Sequence, residues 1–303
     1  MPSRFAALSL LPHRPRRHAR LLLAGALAFA LATAPEGLSG QVDAGDPGYI
    51  LPPAAVQEIF STDKNFATLN HPSPDGGYFA VPHVTELSSL DQVAEPTLRL
   101  AMLELRPEVD RPWHLDLYGL DGLRLYSMED RSFREVDIPD RALISDLMWA
   151  PGGERIAFLV HLRERTEVWT ADAATGRARR LSDSHVTTAI GSGSRGQGSA
   201  PSRMLQWTPE GGVLTLLPIE NRGPAPRATR PSGPVIRKTR EEEAPNPTYP
   251  FLLRTDADAD LFEYHTTSQI AEIDSRGRTR RIGAPGMYES ISLSPDGTHC
   301  SAQ

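Results

Sequence analysis

Between Ser145 and Asp183 the apolar positions come in short bursts separated by turn residues. Leu147-Met148-Trp149 stops at Ala150-Pro151-Gly152-Gly153. Ile156-Ala157-Phe158-Leu159-Val160 forms a continuous apolar run within Arg155 to His161. Glu167-Val168-Trp169-Thr170-Ala171 is the third run, Asp172 to Gly176 turns the chain, and Arg177 to Leu181 closes the stretch. Runs this short, bounded by Pro and Gly, predict strands rather than helices. Proline presets φ for a turn and glycine supplies positive φ, so the connections have a mechanism. Four antiparallel strands in about 40 residues match one blade of a β-propeller.

The turn recurs. His71-Pro72-Ser73-Pro74-Asp75-Gly76-Gly77, Trp149-Ala150-Pro151-Gly152-Gly153, Trp207-Thr208-Pro209-Glu210-Gly211-Gly212 and Leu293-Ser294-Pro295-Asp296-Gly297 share one plan. Each of the first three leads into an apolar strand: Tyr78 to Val81, Ile156 to Val160 and Val213 to Leu217. The spacing of Pro74, Pro151, Pro209 and Pro295 is irregular, so the repeats carry insertions. Leu123 to Met128 and Phe133 to Ile138, around Glu129-Asp130-Arg131-Ser132, read as the outer hairpin of the first blade. The fold class predicted is all-β: a partial propeller of four-stranded antiparallel blades, about three blades and the start of a fourth. After Gly297 the residues Thr298 to Gln303 break the apolar pattern, and that segment is expected to be poorly ordered. The end blades of an open ring should expose apolar flanks and favour self-association.

The first residues follow another pattern. Arg14, Arg16, Arg17 and Arg20 precede the apolar run Leu21 to Ala34. That order describes a secretory signal over residues 1–34, cut near Ala32, and the run is short for a membrane span. Residues 35–48 read as a linker, and Ala54 to Phe60 as one short helix. The incomplete propeller occupies 49–303, with inserts at 191–202 (Gly/Ser-rich) and 221–250 (rich in Pro, Arg and Glu). The net charge of −6, with no basic patch, argues against nucleic acid as a partner. One cysteine, Cys300, excludes an internal disulfide. The expected location is exported, periplasmic or secreted, with no stable membrane span after cleavage.

Chemical motifs are scarce. No Gly-x-Ser-x-Gly elbow and no His-Glu-x-x-His occurs. Gly191-x-Gly193-x-x-Gly196 matches a dinucleotide fingerprint in letters, but Gly198 to Pro201 follow where a helix is needed. Asp256-x-Asp258-x-Asp260 begins like a calcium loop, yet Leu261 and Thr267 stand where Gly and Glu are required. It reads as a solvated acidic turn, and Glu241-Glu242-Glu243 as a solvent-facing charge run. His71, His83, His161 and His185 lie beside strands or turns in structural or solvent roles, and Trp149, Trp169 and Trp207 read as blade core. No residue is assigned a catalytic, cofactor or metal role, and no substrate-binding residue is identified.

Four passages carry a family resemblance: Tyr49-Ile50-Leu51-Pro52-Pro53; Val168-Trp169-x-Ala171-Asp172-x-x-Thr175-Gly176; Pro231-Ser232-Gly233-Pro234; and Asp260 to Gln269, DLFEYHTTSQ. Together they resemble the N-terminal propeller of the prolyl oligopeptidase family of serine peptidases, in its glutamyl endopeptidase-like branch. The resemblance implies a propeller that restricts access to a following α/β-hydrolase domain with Ser, Asp and His. That catalytic domain is absent from residues 1–303, so the chain is expected to be a fragment, inactive alone, meeting peptide or protein substrate only through it. The alternatives are a stand-alone periplasmic propeller that binds a protein or ligand, and an intact small enzyme of unfamiliar mechanism.

Overall fold

The computed structural model describes residues 51–61, 69–84, 88, 90–190, 204–227, 249 and 251–303. The signal segment, the linker, the 191–202 insert, Glu241 to Glu243 and Pro231 to Pro234 lie outside the described residues. Helix α1 (Ala54–Ser61) belongs to a first unit, Met1–Thr62, and begins right after Pro53, whose carbonyl accepts from Val56 and Gln57 N–H.

The second unit, Asp63–Gln303, is built of blades. Strands β1 (His71–Pro72) and β2 (Tyr78–Val84) start the first. An insertion follows with α2 (Leu90–Val93), β3 (Leu98–Leu100), β4 (Leu103–Arg106), β5 (Arg111–Pro112) and α3 (His114–Tyr118). Strands β6 (Leu120–Ser127) and β7 (Phe133–Glu135) complete blade one, in the order β1-β2-β6-β7. Blade two is an uninterrupted meander: β8 (Leu143–Trp149), β9 (Arg155–His161), β10 (Thr166–Asp172) and β11 (Ala178–Arg180). Blade three contains β12 (Gln206–Trp207) and β13 (Val213–Pro218), then a second insertion ending in helix α4 (Asp256–Thr266), then β14 (Thr267–Ile273) and β15 (Thr279–Met287). A hairpin of β16 (Ile291–Leu293) and β17 (Cys300–Ala302) starts the fourth. The all-β reading and the blade order hold, and among the described residues no helix is long and apolar enough to cross a membrane.

Two apolar seams join the blades. Side chains alternate across a strand, so Ile156, Phe158 and Val160 of β9 face a cluster with Ala80, Leu123, Leu125 and Ile144. Ala157 and Leu159 face the other cluster, with Val168, Leu205, Trp207, Leu214, Leu216 and Ile273. Both faces of β9 are therefore buried, which is why its run has no polar member.

The recurring turn has one geometry in all four places. Gly76, Gly153, Gly211 and Gly297 have φ between 70° and 78°. Each donates its N–H to the carbonyl three residues back: Ser73, Ala150, Thr208 and Ser294. The tryptophan that precedes two of these turns ties its blade to the one before. Trp149 Nε1 donates to His71 O at 3.0 Å, and Trp207 Nε1 to Met148 O at 2.9 Å. The outer turns repeat as well. A Cβ on Gly176 would lie 2.2 Å from Glu135 O of blade one, and one on Gly277 2.4 Å from Leu181 O of blade two. Glycine at those places lets successive blades close up.

Several expectations change. Trp149 and Trp169 are half-buried and pack against the Phe158–Leu125 cluster rather than inside it, whereas Trp207 is buried. Strand β8 begins at Leu143, earlier than Leu147, since a bulge between Ser145 and Met148 with Asp146 at φ 56° hides its polar start. The segment after Gly297 is a strand: β17 pairs with β16, and Gln303 exchanges backbone bonds with Ser290. The Asp256–Asp260 stretch is the first turn of α4, not a loop. Thr255 caps it and Asp258 returns the bond to the Thr255 N–H, a capping box.

Candidate functional site

The short β9–β10 connection, Leu162 to Arg165, shares one face with both insertions. Buried charge collects there. Arg111 begins β5, and its guanidinium donates to Asp116 Oδ1 of α3 at 2.8 Å and to Leu162 O at 2.8 Å. Arg106, ending β4, reaches Asp116 Oδ2 at 3.4 Å and Glu95 at 3.4 Å, and Glu95 also pairs with Arg163. Asp116, Arg111 and Arg106 are all nearly inaccessible. Burial lowers the Arg111 pKa, with Asp116 acting against it. The Nε atoms of both arginines lack a hydrogen-bond partner. An open cleft of about 690 Å3 lies over this network, with Asp121, Arg141, Leu143 and His161 also on its wall.

His161 ends β9, fully buried. Its Nε2 lies 2.8 Å from Ser145 Oγ and its Nδ1 3.0 Å from Thr166 Oγ1. Ser145 Oγ donates to Asp146 Oδ2 at 2.6 Å. A serine has one hydroxyl proton, so Ser145 accepts from His161 Nε2–H and Thr166 donates to Nδ1. Burial, and then Arg111, hold its pKa well below 6.5, which keeps the imidazole neutral.

A second junction starts at Asp110, beside Arg111. Its carboxylate accepts from His265 Nδ1 at 2.7 Å and from Arg222 Nη1 at 2.6 Å. Its carbonyl accepts from Thr188 N–H at 3.0 Å. Arg222 stacks over the Tyr264 ring at 4.1 Å and donates to Tyr264 O. His185 lies nearby with its Nδ1 accepting from Thr166 N–H, and burial lowers its pKa. Among the described residues, no three of His, Cys, Asp and Glu converge as a metal site requires.

The histidines singled out from the sequence separate here. His161 is buried and His185 half-buried, both bonded to Thr166; His83 pairs with Asp121 at the cleft rim, and His71 lies in β1. Asp110, Arg111, Asp116 and Arg222 had no signal in the sequence, because single charges in irregular insertions form no motif. The face presents fixed charges, a polar cleft and backbone carbonyls.

No protein-family model matches the chain. Over 261 residues it is 27% identical to a protein named probable glutamyl endopeptidase, chloroplastic, of Oryza sativa subsp. japonica, covering 82% of this chain and 26% of the relative. The protein of the same name in Arabidopsis thaliana is 26% identical over 262 residues, with the same coverages. The chain thus spans about a quarter of the length of these relatives. Among solved structures it is similar to TolB from Acinetobacter baumannii (12% identity, TM-score 0.36, 78% of this chain and 37% of that one). It is also similar to an acylaminoacyl peptidase in complex with Z-Gly-Gly-Phe-chloromethyl ketone (13%, TM-score 0.31, 73% and 26%).

Proposed function

We propose that this chain is the propeller portion of an exported serine peptidase of the glutamyl endopeptidase-like branch. In this reading it restricts which peptides reach a hydrolase domain and performs no hydrolysis itself. The supporting observation is the alignment to the two plant relatives, which covers 82% of the chain. The polar face fits a screening role: its charges are held by pairing and burial rather than poised for bond making. Residues 1–34 serve as the export signal in this proposal, and peptide is the substrate of the whole protein.

Two measurements test it. The purified 303-residue chain should cleave no glutamate-containing peptide and should stay unlabelled by a serine-directed covalent probe. The coding DNA should continue in frame to a Gly-x-Ser-x-Gly segment. Labelling of a serine within residues 49–303 that is lost on denaturation would refute the reading.

A further inference from the structure

We propose that the cleft over Arg106 and Arg111 binds a carboxylate carried by a peptide, with Arg106 as its receptor and Glu95 as the group the ligand displaces. The charges on its wall change with depth. At the floor two nearly inaccessible guanidinium groups share the buried carboxylate of Asp116. On the rim Asp91 and Arg141 are exposed, Glu95 pairs with Arg163, and Asp121 has His83 beside it. The rim is thus close to balance, whereas the floor carries one positive charge in excess.

The donors are under-used in the same place. A guanidinium presents five N–H donors in a rigid fork. Arg111 is fixed by two good bonds of 2.8 Å, to Asp116 Oδ1 and Leu162 O. Arg106 makes two long contacts, 3.4 Å to Asp116 Oδ2 and 3.4 Å to Glu95, where a charge-assisted bond normally measures about 2.7–2.9 Å. The Nε atoms of both side chains have no partner. A buried donor left unpaired is costly. Excess charge and idle donors, two independent observations, therefore call for an anionic acceptor at this floor. A planar carboxylate matches the guanidinium fork with two parallel bonds, and its single charge fits the excess better than a doubly charged phosphate. Leu143 and Leu162 on the same wall suit a carboxylate with a carbon chain attached. Glu95 is partly exposed and pairs with Arg163 at 3.1 Å, so it can release Arg106 without being left unpaired.

That the carboxylate belongs to a peptide rests on the proposed function; the anion site itself does not. Calorimetry on the full 303-residue chain separates the two. The probes are N-acetyl-Ala-Ala-Ala with a free C-terminus against its amide, and N-acetyl-Ala-Glu-Ala-amide against its Gln counterpart, with acetate and inorganic phosphate as controls. In at least one pair the acid should bind about tenfold or more tighter than its neutral twin. The pair that responds tells a chain end from an acidic side chain. Arg106→Gln should abolish that preference. Glu95→Gln removes the competing carboxylate and should tighten binding, a change that a purely structural ion-pair network would not give. Equal binding within both pairs, a preference that survives Arg106→Gln, or acetate or phosphate binding as tightly as the acidic peptides would overturn the proposal. If Arg106→Gln does not fold, Glu95→Gln decides it: unchanged or weaker binding counts against the site. None of these outcomes bears on the peptidase-family reading, which the serine-directed probe tests.

Discussion

Strand β9 and the Asp110 junction are buried to a similar depth and held by opposite means. In β9, Ile156 to Val160 lose contact with water on both faces, and no polar side chain interrupts them. At the junction the buried groups are Asp110, Arg111, Asp116 and His265, each stabilised only by a partner at hydrogen-bonding distance. Apolar burial is non-directional and tolerates small shifts; a buried charge does not, since losing its partner leaves it unsolvated. The seam therefore stabilises the blades, whereas the junction fixes one arrangement of the insertions.

Substitutions should separate the two regions. Phe158→Ala, within the seam, is expected to destabilise the chain by about 3–5 kcal/mol in urea unfolding. A loss under 1 kcal/mol would mean that blade one does not pack on β9. Asp116→Ala removes the carboxylate shared by Arg106 and Arg111 and should destabilise by about 3 kcal/mol. Replacing Asp116, Arg106 and Arg111 together with apolar residues of similar size should recover most of that, which no triple change in the seam would do. Trp207→Phe keeps the ring in the seam but leaves the Met148 carbonyl without its donor, for about 1–2 kcal/mol. The smallest expected effect needs no substitution. His161 and His185 are neutral in the fold with lowered pKa values, so the unfolded chain binds more protons below the ordinary histidine value of 6.5. Their contribution is complete above that pH and is lost as pH falls below it toward their lowered values. The thermal midpoint should decline from pH 7.5 to 5.5, and less steeply in His185→Gln. An unchanged midpoint would contradict the burial of both rings.

The seam was legible in the sequence and the junction was not. Turn residues with required φ, such as Gly153 and Gly211, and apolar runs such as Ile156 to Val160 state their structure locally. The outer hairpin of blade one was readable for the same reason, and the structure pairs Tyr126 with Phe133 in it. By contrast β3 to β5 fall in a stretch of mixed Leu, Arg and Glu whose register depends on partners far along the chain. The hairpin turn at Ala101-Met102 lacks the glycine or asparagine that would have announced it. Helix α4 was missed because Asp256 and Asp258 suggest a loop, although Thr255 followed three residues later by an acid is a helix start. His265 and Asp110 are 155 positions apart, and only the closed blades bring them together.

The placement of the second insertion also has a kinetic side. Blade two closes each strand pair through a turn of a few residues, a search completed in microseconds for an isolated hairpin. Blade three must pair β13 with β14 across all of residues 219–266. The entropy of closing a loop grows only as the logarithm of its length, so the final stability suffers little, but non-local pairing slows folding. Blade two should therefore form first and present its Ala157–Leu159 face as the surface on which β13 waits for β14. During that interval Leu214 and Leu216 lack a finished sheet, which makes blade three, rather than the uninterrupted meander beside it, the place where misfolding begins.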